Sequence, residues 1–140
     1  MTMDVDNTPF FEPGPTAYVE DPERPVLAHG RDHGVGEANQ PHSHPRGQLL
    51  WAMTGVLRVV SGNSVWIVPP SHAVWIPGGT LHNVVTETEA QTRNLYVDAS
   101  RTIRGDAAGC TVLMLSPLMR EIVLRLSERG DPASDPRLQR

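Results

Sequence analysis

The chain has 140 residues, 39% hydrophobic and 20% charged. That is one domain with one core, which excludes wholesale disorder and a pair of ordinary domains. Its apolar runs fall well short of the roughly 18 residues of a membrane helix, and its formal charge of −4 is unevenly spread. Six acids (Asp4, Asp6, Glu12, Glu20, Asp21 and Glu23) precede the first base, Arg24, and the remainder carries twelve Arg, no Lys and ten acids. That scattered surplus forms no basic stripe, so the chain is not expected to grip DNA by itself.

Residues 1–25 read as an acidic, Pro-rich arm. Pro9, Pro13, Pro15, Pro22 and Pro25 deny it a long helix and leave an extended segment, with Phe10 and Phe11 to pin it down. The first fifteen residues place acids where a secretory signal needs a basic and then an apolar stretch, and Cys110 is the single cysteine. Both suit a cytoplasmic protein.

Residues 26–115 carry the signals of short strands. Runs at 48–53, 56–60, 64–68, 73–76, 82–86, 93–97 and 111–115 are rich in β-branched and aromatic residues, and most close on Gly, Pro or Asn. Seven such runs predict an all-β sandwich or small barrel, with a hairpin around Ser61, Gly62 and Asn63. The pattern then changes. Ser116 and Pro117 read as an N-cap and first helical residue, and Leu118, Met119, Ile122, Val123 and Leu126 recur at helical spacing. An amphipathic helix over 116–129 is predicted, stopped by Gly130 and Pro132, with residues 130–140 as a linker.

Chemistry concentrates in two stretches. The first runs Gly36, five residues, His42-Ser43-His44, three residues, Gln48, six residues, Gly55; the second is Pro77-Gly78-Gly79-Thr80-Leu81-His82. Residues two apart in a strand share a face, so His42 and His44 can present their imidazoles together, with Gln48 at an even offset beyond. His82 follows a turn and can enter the same cavity. Three neutral ring nitrogens and an amide oxygen suit a borderline divalent ion such as Zn, Ni, Fe, Co or Cu. Gln48 and Leu50 share parity, so Leu50 is expected to line the pocket and Trp51 to face away. Tyr96, and Arg46 between His44 and Gln48, are further candidates for an effector pocket. Arg58 reads as solvated, and His29, His33 and His72 as exposed loop residues, with His29 or His33 near the mouth of the site as the minor alternative. No nucleophile elbow or phosphate-binding loop is present, so no catalytic residue or nucleotide-type cofactor is assigned.

These two elements resemble the paired motifs of the cupin superfamily, double-stranded β-helix barrels, with His42, His44, Gln48 and His82 in the four ligand positions. The sequence departs from that pattern at Gln48, which stands for the usual Glu, at Ser71, which stands for the glycine opening the second motif, and at Thr86, which stands for an Asn. The likeness narrows across His42–Leu50, Gly55–Val59, Val68–Pro77, Arg93–Val97 and Ser116–Glu121, which are similar to the N-terminal cupin domain of AraC-family transcription regulators. The resemblance implies a single cupin barrel with a C-terminal helix that senses a small-molecule or metal effector and forms homodimers. It implies DNA binding through a C-terminal helix-turn-helix domain of about 100 residues not contained in this chain, and no membrane partner. Two rival classes are a stand-alone metal-dependent cupin enzyme, an isomerase or oxygenase, and a binding or dimerisation module with a vacant pocket.

Overall fold

The structure, a computed structural model, describes residues 2–3, 9–101 and 109–128; the expected linker at 130–140 lies outside these. The arm contributes two two-residue strands, β1 (Thr2–Met3) and β2 (Pro9–Phe10), paired with each other, then a short 3-10 turn at Pro15–Tyr18. Eight further strands follow: β3 (Val26–His33), β4 (Gly47–Thr54), β5 (Leu57–Ser61), β6 (Ser64–Val68), β7 (His72–Ile76), β8 (Asn83–Thr86), β9 (Ala90–Val97) and β10 (Thr111–Met114). The helix α1 spans Pro117–Glu128.

The strands of the two larger sheets pair antiparallel throughout, in a five-stranded sheet of order β10-β7-β4-β9-β3 and a three-stranded sheet of order β6-β5-β8. The expected all-β architecture with a trailing helix is therefore present. Each of the seven expected runs is a strand. β5 and β6 form the expected hairpin, with Ser61 opposite Ser64 and Gly62 at φ +58°. β3 is an eighth, unforeseen strand, three of whose four inward positions carry polar side chains rather than the aliphatic ones that mark strands in a sequence.

Side chains alternate across the five-stranded sheet, and each face has its own partner. Inward, Leu50, Ala52, Val74, Ile76 and Ala90 meet Leu57, Val59, Val68 and Val84 of the three-stranded sheet. Outward, Leu49, Trp51, Ala73, Trp75, Leu95 and Val97 meet Val123 of α1. Each buried Leu, Val or Ile side chain there contributes about 1.5–3 kcal/mol. Parity places Trp51 in the outer layer as expected, because the register shift in β4 falls later, between Ala52 and Thr54. The Trp51 indole N–H donates to the Pro70 carbonyl at 2.8 Å, and Arg120 of α1 lies over its ring. Ser116 caps α1 by accepting the Met119 N–H at 3.1 Å. Gly55 turns β4 into β5 at φ +90°, where a Cβ would strike the Glu89 carbonyl.

Candidate metal and effector site

His42, His44 and His82 meet at one end of the barrel. His42 and His44 lie in the loop before β4, not in a continuous strand as the spacing argument supposed. A single antiparallel bridge sets their position: His42 and His82 exchange both main-chain hydrogen bonds, each 2.9 Å. The Gly79 N–H also donates to the His44 carbonyl at 2.9 Å. Gly78 permits this approach, since a Cβ there would run into the Pro45 carbonyl oxygen. The glycines of the second motif thus bring the two histidine loops together. Ring centroids stand 4.4 Å apart for His42 and His82, 5.0 Å for His44 and His82, and 5.5 Å for His42 and His44.

The same hydrogen-bond pattern fixes all three tautomers. Nδ1 of His42 donates to the Gln40 carbonyl, Nδ1 of His44 to that of Arg46, and Nδ1 of His82 to that of Thr80, each at 2.8 Å. A carbonyl can only accept, so Nδ1 carries the proton and Nε2 keeps its lone pair. Burial holds the imidazolium forms of His42 and His44 below their ordinary range and pushes His82 down to about 4. At neutral pH the three rings are neutral ligands with candidate donor atoms within 4.8 Å of one another.

These residues fit a divalent ion on two counts. Nε2 of His82 is buried and has no hydrogen-bond partner, a cost that ligation would remove. Nε2 of His44 faces Oε1 of Gln48 at 3.1 Å, and both atoms are acceptors. Two lone pairs facing at that separation are what a cation between them would stabilise, since ligands about 2.1 Å from one ion lie roughly 3 Å apart. Nε2 of Gln48 donates to Asn94 Oδ1 at 2.9 Å, which turns the amide oxygen toward His44.

Gln48, Leu50 and Tyr96 line a cavity of about 30 Å³ that also reaches His42, room for roughly two waters. Outside His42, between the barrel and the arm residues Phe10–Pro13, lies a wider groove of about 280 Å³. Arg46 does not belong to this cavity, and the expectation that it recognises an effector is corrected. Its side chain is 0% exposed, and its guanidinium donates to the carbonyls of Val19, Asp21, Arg24, Pro25 and Tyr96, 2.6–3.3 Å away. Asp98 stands 3.8 Å from Nη2. Arg46 fastens residues 19–25 to the barrel. Arg58 pairs with Glu87 on the surface, as a solvated side chain would.

A second correction concerns His29 and His33. Both lie on β3 and face inward, and His33 is buried with its Nδ1 3.2 Å from Glu37 Oε1 and its ring tilted against that of Phe11, centroids 4.5 Å apart. His29 is half-buried and lines the cavity; so is His72, which does not line it. Thr86 is buried and joins Gly34 and Glu37 to β8 through its hydroxyl.

The sequence matches the family described as the AraC-like ligand binding domain over residues 24–135. The HTH-type transcriptional regulator NimR of Escherichia coli (strain K12) is 37% identical over 97 residues, 69% of this chain and 35% of that protein. The chain thus spans about a third of the length of this curated relative. Among solved structures, apo ToxT K231A from Vibrio cholerae is similar with a TM-score of 0.59 at 9% identity, covering 76% of this chain and 48% of that one. An RmlC-like cupin from Shewanella frigidimarina has a TM-score of 0.50 at 16% identity over 64% of this chain and 90% of that one. Oxalate decarboxylase from Bacillus subtilis also has a TM-score of 0.50, at 17% identity over 56% of this chain and 22% of that one. At these identities the structural likeness shows the barrel fold alone.

Proposed function

Since the chain belongs to the family of AraC-like ligand binding domains, we propose that it is the effector-sensing part of a longer transcription regulator and holds a divalent transition metal on His42, His44 and His82. Gln48 is the fourth ligand. The observation that carries the metal reading is the fixed tautomer of all three rings, with Nδ1–H on a carbonyl and Nε2 directed to the cluster. When bound, such an ion supplies an anchoring charge for an effector donor atom. Leu50 and Tyr96 shape the cavity beside it, and Tyr96 packs edge-on against His44 at 5.7 Å. With neutral ligands throughout, the site favours Zn, Ni, Fe, Co or Cu over hard cations.

Sensing requires that the effector bind two states of the domain unequally. The arm is the element placed to respond, because Phe10–Pro13 walls the groove above His42. DNA contact belongs to a helix-turn-helix domain on the same polypeptide, and the cytoplasm is the matching location. Among the described residues no helix is long and apolar enough to cross a membrane. On α1, Leu118 and Ile122 remain 72% and 39% exposed, which suits an interface between two copies. The enzyme reading is not favoured, because the matched family is a ligand-binding domain. Sequencing the gene past the codon for Arg140 tests the regulator reading. It expects about 100 further residues with two helix-turn-helix patterns; an immediate stop codon would overturn it.

A further inference from the structure

The inner face of β3 is polar where a barrel wall is ordinarily aliphatic. Leu27, His29, Arg31 and His33 point inward, in register with Tyr96, Asn94, Thr92 and Ala90 of β9. Arg31 lines the same cavity as His42, Gln48 and Asn94. It differs from the other arginines that the structure pairs. Arg24, Arg58 and Arg93 each face a carboxylate, and Arg46 is held by main-chain carbonyls and Asp98. Arg31 donates one bond, from Nη1 to the Glu12 carbonyl at 2.6 Å, and its Cζ lies 5.6 Å over the Phe11 ring. Among the described residues no carboxylate forms an ion pair with it.

A half-buried cation is costly without an anion, and a guanidinium fork is shaped for a planar carboxylate. The local acids do not meet that need. Glu37 is engaged by His33 and the Gly34 N–H; Glu12 lines both this cavity and the outer groove, but it is exposed and only its main-chain carbonyl bonds Arg31. Most other cavity groups near Arg31 are neutral donors and acceptors, among them Thr92, Asn94 and Gln48. A metal on the histidine cluster would add positive charge to the same space.

We infer that Arg31 is the anion-recognising residue of the effector site and that the effector is a small organic acid, its carboxylate on Arg31 in the cavity and its body in the outer groove, which shares Phe11, Glu12, Pro13 and His42 with the cavity. This rests on the reading of the barrel interior as the effector site. Arg31 and its neighbour Phe11 also tie the acid to the arm, since both the cation–π contact and the Glu12 bond join β3 to residues 11–12.

Matched probes test it: benzoate against benzamide, succinate against succinamide, and phenyl phosphate, each titrated calorimetrically into the zinc-loaded chain up to about 10 mM, so that millimolar affinities register. At least one carboxylate should bind tenfold or more tighter than its amide and than phenyl phosphate. Arg31→Gln should remove that preference while zinc uptake is unchanged. The inference is overturned if no carboxylate outbinds its amide, if phenyl phosphate binds best, or if Arg31→Gln keeps the preference. The His42→Ala/His44→Ala chain separates the two readings. Carboxylate binding that depends on Arg31 but survives in that variant supports the anion site and removes only the metal from the proposed function.

Discussion

Replacing Arg46 with Gln tests how the arm is fastened. The side chain is wholly buried and its guanidinium satisfies five main-chain carbonyls, four of them in residues 19–25. A hydrogen bond to a charged group is worth about 1.5–3 kcal/mol net, so five in isolation would suggest roughly 8–15 kcal/mol. That sum overstates the loss. Once residues 19–25 lift away, their carbonyls return to water, and the Asp98 carboxylate still accepts bonds from the Ser100 N–H and hydroxyl. The expected loss is therefore that of breaking a buried ion pair, about 3–5 kcal/mol. For a domain of this size that lowers the melting temperature by roughly 10–20 °C. Circular dichroism melts and urea unfolding of the two chains read it. A loss below about 1 kcal/mol would refute the account of Arg46 as a structural clasp. Normal stability with a lost effector response would return Arg46 to the pocket.

Three further outcomes follow from the geometry. The metal-free chain should weaken on acidification, because the pKa of His82 is about 4 in the fold against an ordinary 6.5. The unfolded chain takes up that proton first, so stability is full above pH 6.5 and falls between 6.5 and 4, by roughly 3 kcal/mol for this group. Urea unfolding across that window should be flatter in His82→Asn, and an equal slope in both chains would contradict the assignment. Gly78→Ala should drive the loop of residues 77–82 off the Pro45 carbonyl and weaken zinc binding by about tenfold or more, while α1 and the outer core keep their near-ultraviolet signal; zinc titration against a chelating indicator reads it, and unchanged affinity would contradict the role given to this contact. Leu118→Glu with Ile122→Glu should change stability by no more than about 0.5 kcal/mol and turn a dimer in sedimentation into a monomer; a loss of several kcal/mol would mean that this face is covered within the chain.

Much of the fold was legible because its strands announce themselves by apolar alternation and turn residues. Val56, Leu57 and Val59 before Ser61-Gly62-Asn63 are such a case, and the Ser116-Pro117 start of α1 is another. β3 was not legible, since His29, Arg31 and His33 on its inner face mimic a loop. The period-two spacing of those three residues was the available signal, masked by Gly30 and Asp32 between them. The histidine cluster was legible from spacing, though for a different geometric reason than strand parity. The bridge between His42 and His82 and the contact of Gly78 with Pro45 bring the rings together, and both depend on residues far apart in the chain. Arg46 was misread for the same cause, because its carbonyl partners come from residues 19–25 and Tyr96, and no local pattern marks a carbonyl as an arginine's partner.

The central claim is that His42, His44 and His82 hold a transition metal through Nε2. Elemental analysis of the chain after zinc loading and gel filtration tests it most directly, beside the His44→Ala and His82→Ala chains. The account predicts about one equivalent of zinc on the unaltered chain, as a site of three histidines and Gln48 would hold, and little on either variant. Less than about a tenth of an equivalent on the unaltered chain, or equal zinc on all three, would contradict it.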